Sequence, residues 1–226
     1  MKAIRNTRGF TMVEVVVVIG IVALLAGILV PLISQNLEDA KRARAKNEAV
    51  VIASAIGSLY KDVGMWPWTN ADGPTSTSGV NLLYTGSISS VPTAYSPNPA
   101  VAGEDNWGVT SNAKSLADFV YFNNPDDDTG KTLQNESGED YTTSGEFKWR
   151  GPYVEKPTIL DPWGQSYVVN AKYLPGNPAY TSTVKHRVYV LSAGPNRKWE
   201  TPFSDTTGDG DDEIKGDDIG VTITVR

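Results

Sequence analysis

The stretch Gly9-Phe10-Thr11-Met12-Val13-Glu14, continued by the uncharged run Val15–Ile33, decides how this chain is read. The run holds nineteen residues without a charge. At about 1.5 Å per residue, a helix of that length spans roughly 29 Å, close to the thickness of a bilayer core. An ionisable side chain near such a segment is costly, on the order of 2.5–3.5 kcal/mol at mid-membrane and less toward an end. Glu14 therefore needs a reason. Outward on the N-terminal side stand Lys2, Arg5 and Arg8. The positive-inside rule keeps this basic leader in the cytoplasm and places the residues after Ile33 outside it.

Three readings fit these residues. A secretory signal peptide also combines a basic start with an apolar run, but its apolar region is shorter and ends at an A-x-A-like site. Here Gln35-Asn36-Leu37-Glu38 follows instead. A plain membrane anchor leaves Glu14 unexplained. Third, Lys2, Arg5, Arg8, Gly9 and Phe10-Thr-Met-Val-Glu14 before an apolar helix closely resemble the N-terminus of type IV prepilins and type II secretion pseudopilins. The resemblance implies that a prepilin peptidase and methyltransferase cuts after Gly9 and N-methylates Phe10. It also implies that Glu14 pairs with the α-amino group of Phe10 on a neighbouring subunit and so fixes the axial register of assembly. The partners implied are copies of the chain, other pilin-like subunits, an inner-membrane assembly platform and, before assembly, membrane lipid. The location implied is a single-pass bacterial inner-membrane protein with its C-terminal domain outside the cytoplasm. After assembly it would lie in a periplasmic or cell-surface filament.

Composition bounds the remainder. With one segment in a membrane, 226 residues leave one modest globular domain. The 21 glycines and 14 prolines predict long irregular loops. Cysteine is absent, so a staple other than a disulfide, such as a metal, gains weight in an extracytoplasmic domain. The net charge of −6 becomes near −9 without the three basic leader residues, which argues against nucleic acid as a partner.

The sequence divides into a leader at 1–9, a transmembrane helix at 10–33, the soluble half of the same helix at 34–64, and an α+β domain at 65–226. Phe10–Val63 would be one helix of about 80 Å if straight, with Pro31 bending or locally melting it. Glu38, Asp39, Lys41, Arg42, Arg44 and Lys46 mark its exit into water. Ile52, Ile56, Leu59 and Val63, with Ala49, Ala53 and Tyr60 alongside, form an apolar stripe suited to docking on a sheet. Gly64 ends the helix. The stretch Leu59–Pro67, the tract Trp149-Arg150-Gly151-Pro152-Tyr153 and the turn Asp161-Pro162-Trp163-Gly164 resemble the major pseudopilin of type II secretion. The resemblance implies a pilin-like fold in which this turn opens an antiparallel sheet, and Trp163 is read as a cap on the core. Residues 69–148 are longer than the corresponding family connection and read as an insertion. Within it, Asn81–Tyr84 and Phe119–Phe122 are candidate strands or helical turns, and Asp126–Gly130 a solvated turn. Tyr167–Val169, Arg187–Leu191 and Val221–Val225 read as strands, and the single histidine, His186, as solvated on a strand edge.

Residues 200–220 carry eight carboxylates (Glu200, Asp205, Asp209, Asp211, Asp212, Glu213, Asp217 and Asp218) against Lys215 alone. Such a loop is either solvated or bound to a hard, oxygen-seeking cation such as Ca²⁺, and the spacing is not that of an EF-hand. In the major pseudopilin, a loop beginning like Ser192-Ala193-Gly194-Pro195-Asn196 and closing like Asp217-Asp218-Ile219-Gly220 holds one calcium. The resemblance implies the Ala193 carbonyl, the Asn196 side chain, the Asp217 and Asp218 carboxylates and the Val221 carbonyl as ligands, within a loop at about 193–220. Aspartate usually stands where this chain has Asn196, and Arg197–Gly216 exceeds the usual spacer. Asp209, Asp211 or Asp212 are candidates to replace or supplement the set.

The expected function is structural: a subunit of a pilus-like filament, foremost the type II secretion pseudopilus that drives protein export. A type IV pilus subunit is the alternative within the class, with the insertion as a variable exposed face. A membrane-tethered binding protein using Trp66, Trp68 and Trp107 is the alternative outside it. The sequence offers no Gly-x-Ser-x-Gly, no cysteine nucleophile and no identifiable catalytic carboxylate pair, so no enzyme is expected.

Overall fold

A computed structural model describes residues 9–69, 79–95, 107, 112–125, 140–180, 183–205 and 214–225. The basic leader and Asp126–Gly130 lie outside the described residues. The chain falls into two compact units, Met1–Lys41 and Arg42–Arg226. One helix, α1 (Met12–Val63), belongs to both.

In the first unit α1 buries nothing, and its apolar side chains from Met12 to Ile33 are all exposed. By length and composition this segment can cross a membrane. Pro31 does not melt the helix: it and its neighbours on both sides are helical. The carbonyl that a proline ring crowds belongs to the residue four earlier. Here that residue is Gly27, which adds no side chain to the crowding. Ser34 Oγ donates to the Val30 carbonyl at 3.0 Å, supplying a bond one turn along.

In the second unit the expected stripe is closed over. Ala45, Ala49, Ile52, Ile56 and Leu59 are fully buried and Val63 nearly so. Burying each large aliphatic side chain contributes about 1.5–3 kcal/mol. Tyr60 lies off the stripe, exposed and stacked on Trp66 with ring centroids 4.1 Å apart. Gly64 ends the helix at a φ of +78°, its N–H donating to the Tyr60 carbonyl at 2.8 Å. Only glycine adopts that left-handed conformation without strain, so the C-terminal stop is written in one residue.

The strands are β1 (Leu82–Tyr84), β2 (Ala94–Tyr95), β3 (Ala113–Ser115), β4 (Val168–Val169), β5 (Val188–Ser192), β6 (Lys198–Trp199) and β7 (Ile219–Ile223). Five form one sheet in the order β3-β1-β4-β5-β7, and β2 pairs with β6 in a small parallel ribbon. The pairs β1–β4, β4–β5 and β5–β7 are antiparallel, with Val190 opposite Val221. The sheet departs from the expected antiparallel form at one edge, where β1 and β3 are parallel. A parallel return needs a long crossover, and the insertion supplies one between Tyr84 and Ala113.

Alternation along the strands serves two cores. Leu83, Val169, Val188, Val190 and Ile223 pack with the α1 stripe. Their neighbours Leu82, Val168, Tyr189 and Leu191 pack with Trp107, Trp199 and Phe203 on the second side. A sheet covered on both faces reads as continuous apolar runs, as β4 and β5 do. The insertion thus contributes β1, β3 and Trp107 to the core rather than only an exposed face. Phe119–Phe122 falls in a π-helical turn at Asp118–Phe122.

The family-like tracts act as ties. Lys148 N–H donates to the Asp62 carbonyl at 3.0 Å, and the Tyr153 hydroxyl to Asp62 Oδ2 at 3.2 Å, both at the end of α1. Trp149 is buried, with Nε1 donating to the Phe119 carbonyl at 3.0 Å. The Asp161 carboxylate pins its own turn. Oδ1 accepts from the N–H groups of Trp163 (3.0 Å) and Gln165 (2.7 Å), and Oδ2 accepts from Ser192 Oγ at 2.6 Å. Trp163 itself belongs to neither core and is half-buried. The turn is held by the carboxylate rather than by the indole. His186 is half-buried rather than solvated. Its ring stacks on Tyr173 at 4.2 Å, and Nδ1 lies 2.9 Å from the Ser204 carbonyl.

Candidate functional site

Two groups of residues carry chemistry. The first is the start of α1, where Gly9 and Phe10 precede the helix and are exposed. Thr11 and Glu14 form a reciprocal cap. Glu14 Oε2 accepts from the Thr11 N–H and from Thr11 Oγ1, both at 2.8 Å, and Thr11 Oγ1 accepts from the Glu14 N–H at 3.3 Å. This is a capping box, which satisfies backbone donors that a helix start leaves open. Its T-x-x-E signature is legible in the sequence, yet Glu14 was read only for its charge. Within one chain Glu14 already has a local role, and its carboxylate also suits the positive end of the helix dipole.

The second group joins the loop after β5 to the loop before β7. Ala193 is buried beside the second core. Asn196 Oδ1 accepts from the Lys198 N–H at 2.8 Å, and its Nδ2 donates to Glu200 Oε1 at 3.2 Å. Glu200 Oε2 accepts from the Asp217 N–H. A Cβ on Gly216 would overlap the Glu200 carboxylate, and Gly216 has a φ of +62°, so glycine is required there twice over. Asp217 Oδ1 pairs with Arg42 of α1 at 2.6 Å. Asp218 Oδ2 accepts from the N–H groups of Glu200 (3.0 Å) and Thr201 (2.7 Å). Its Oδ1 is buried with no hydrogen-bond partner among the described residues. Burial pushes the Asp218 carboxyl up to about 6, against the lowering effect of the Thr201 and Glu200 N–H groups. Val221 lies in β7, half-buried.

The structure therefore brings Asn196, Asp217 and Asp218 onto facing loops, joined through Glu200. Sequence reading left Glu200 out, because nothing in a run of eight acids distinguishes it. Asp205 is used elsewhere. It forms a buried pair with Arg187 at 2.7 Å and accepts from the Tyr189 hydroxyl on the same oxygen. Asp209, Asp211 and Asp212 lie outside the described residues. Among the described residues no three acidic or histidine side chains converge closely enough to hold a metal alone. A cation here would need backbone oxygens as well. The candidate donors are nevertheless all oxygen, and Asp218 Oδ1 is a desolvated carboxylate oxygen without a partner among the described residues, which is the chemistry a hard cation requires.

The fold and the N-terminal motif together define a class of proteins with one long, N-terminally apolar helix carried on a small α+β domain. The family of the prokaryotic N-terminal methylation motif matches residues 4–30. The chain is 31% identical to type II secretion system core protein G of Vibrio cholerae over 48% of its own length and 70% of that protein. It is 36% identical to the core protein G of Escherichia coli K12 over 31% of its length and 48% of that protein. A fimbrial protein, EcpC of Eikenella corrodens, is 32% identical over 36% of the chain and 52% of that protein. The chain belongs to the family of type II secretion system core protein G, the major pseudopilin. It spans about half the length of the Escherichia coli and Eikenella relatives. No solved structure gives a significant match. These relatives bear the names of secretion and fimbrial proteins and not of enzymes.

Proposed function

We propose that the chain is a structural subunit of the type II secretion pseudopilus, assembled from the bacterial inner membrane to drive protein export. The observation that carries this reading is the exposed apolar half of α1, capped by Thr11 and Glu14 and preceded by Gly9-Phe10. A helix with every apolar side chain uncovered has two ways to hide them: lipid, or the same helix of other subunits. Cleavage after Gly9 by a prepilin peptidase frees the Phe10 amine, which is then methylated. The Glu14 carboxylate pairs with that charged amine on a neighbouring subunit, so that subunits stop at one register. Other pilin-like subunits and an inner-membrane platform complete the assembly.

The loop pair around Asp218 holds one calcium in this reading. Asp218, with Asp217, Asn196 and the carbonyls of Ala193 and Val221, would supply the oxygens. The ion would neutralise the acidic loops and staple β5 to β7 in a domain without disulfides. The support is the buried Asp218 Oδ1, which has no hydrogen-bond partner among the described residues.

The similarity to a fimbrial protein favours a second reading, a type IV pilus subunit. Deleting the chain in its native host separates the two. Loss of protein export with surface pili intact supports the pseudopilus, and loss of pili with export intact supports the pilus.

A further inference from the structure

We propose that copies of this chain join through Phe147, which inserts into the groove between α1 and β7 of a neighbouring copy. The inference rests on the filament reading above and names a contact between the folded domains, separate from the apolar half of α1.

A single apolar side chain on a surface is ordinary. Phe147 is set apart by how it is presented. It is 61% exposed, more than any other large hydrophobic residue described in the unit Arg42–Arg226. Its loop is closed by the Trp149 N–H, which donates to the Thr142 carbonyl at 2.8 Å, and is tied to α1 by the Lys148 bond to the Asp62 carbonyl. An apolar group held in place before docking loses little freedom on docking. The receptor is a groove of about 500 Å³ lined by Gly57, Tyr60, Trp66, Ile223 and Thr224. Tyr60 and Trp66 are stacked there, and a Cβ on Gly57 would meet nothing within 4 Å. Aromatic lining suits an incoming phenyl ring, edge-on or offset.

Ring and groove lie on different flanks of α1. Arg150 Nε at 3.9 Å and the Tyr153 hydroxyl at 3.2 Å meet the Asp62 carboxylate, which puts the tract after Phe147 on the Asp62 side. Gly57 stands five residues before Asp62, about 140° around the helix. A projection on one flank and a recess on another make a heterologous contact, which extends from copy to copy instead of pairing two like faces. Charge completes the match. Glu146 precedes Phe147, and Lys61 stands one helical turn after Gly57. Both are exposed, and among the described residues neither has an ion-pair partner. Docking sets the two against each other across the contact.

The chain has no cysteine, so introduced cysteines report proximity directly. Full-length Glu146→Cys and Thr224→Cys chains with different tags are co-expressed with the wild type in the native host, and sheared filaments are treated with a short bismaleimide. The expected product is a mixed-tag dimer, whereas Val184→Cys, in the loop before β5, should give none with Thr224→Cys. Phe147→Ala should lower filament yield about fivefold or more with the domain melting temperature unchanged, and Phe147→Leu should recover part of it. Gly57→Leu, which fills the groove, should lower the yield as Phe147→Ala does. Glu146→Lys and Lys61→Glu should each lower it and together restore it. Normal yield from Phe147→Ala, or filaments without the mixed-tag dimer, would overturn this contact and leave the filament reading standing. If Phe147→Ala also lowers the melting temperature, the crosslink decides. A Glu146→Cys product joined to a chain of different mass would overturn a second copy as the partner. A wild type that forms no filaments removes the filament reading itself, and this inference with it.

Discussion

From Met12 to Ile33 every apolar side chain of α1 is exposed, Leu24 at 66%, whereas from Ala45 to Val63 the apolar stripe is closed over, Leu59 at 0%. Both stretches are α-helix in one continuous element. The second is striped, with polar residues between the apolar ones, and finds its cover in β1, β4, β5 and β7 of the same chain. The first is apolar on all sides, so a single sheet could cover only part of it. Among the described residues nothing covers it. In the proposed reading, that difference is what turns a small α+β domain into an assembling subunit.

The largest effect that separates the halves is at Glu14. Glu14→Ala should leave the chain membrane-inserted and the domain folded, yet stop its incorporation into filaments. Filament yield in sheared fractions measures this, and normal yield would remove the register role. Next come paired truncations. Leu59→Ala should destabilise the domain by about 2–5 kcal/mol through a buried cavity. Leu24→Ala should change domain stability by less than about 0.5 kcal/mol, because nothing in the chain covers it. Urea unfolding in detergent gives both values, and similar losses at the two sites would erase the distinction.

A smaller effect concerns the turn that opens β4. Asp161→Ala strips acceptors from Trp163 N, Gln165 N and Ser192 Oγ, and should cost on the order of 1–3 kcal/mol. Smallest is Thr11→Ala, which removes the cap and should weaken the first helical turn by about 1 kcal/mol. Faster amide exchange at Met12–Val15 with an unchanged domain melting temperature would report it. A lowered melting temperature would mean that the cap supports the domain as well.

Much of this was legible in the residues. The Gly9–Glu14 motif, the stripe from Ala49 to Val63, the Gly64 stop and the strands near 188–192 and 219–223 all depend on local periodicity or on one residue's conformational preference. What stayed hidden depends on distant partners. β1 lies within Asn81–Tyr84, which reads equally as a strand or a helical turn, and β3 is three residues without periodicity; both exist as strands because β4 and each other's edges are there to pair with. Trp66 and Trp107 could have formed an exposed binding platform. Both are buried, Trp107 under Trp199 and Phe203, so they do not support a tethered binding protein. Glu200 and Asp205 look alike in the sequence, and only the fold sets one against Asp217 and Asp218 and the other against Arg187.

The measurement that tests the account most directly is the intact mass of the chain extracted from membranes of its native host. A mass starting at Phe10 with one added methyl group is the predicted result. A full-length chain, or one cut beyond Ile33, would contradict processing at Gly9 and with it the role given to Glu14.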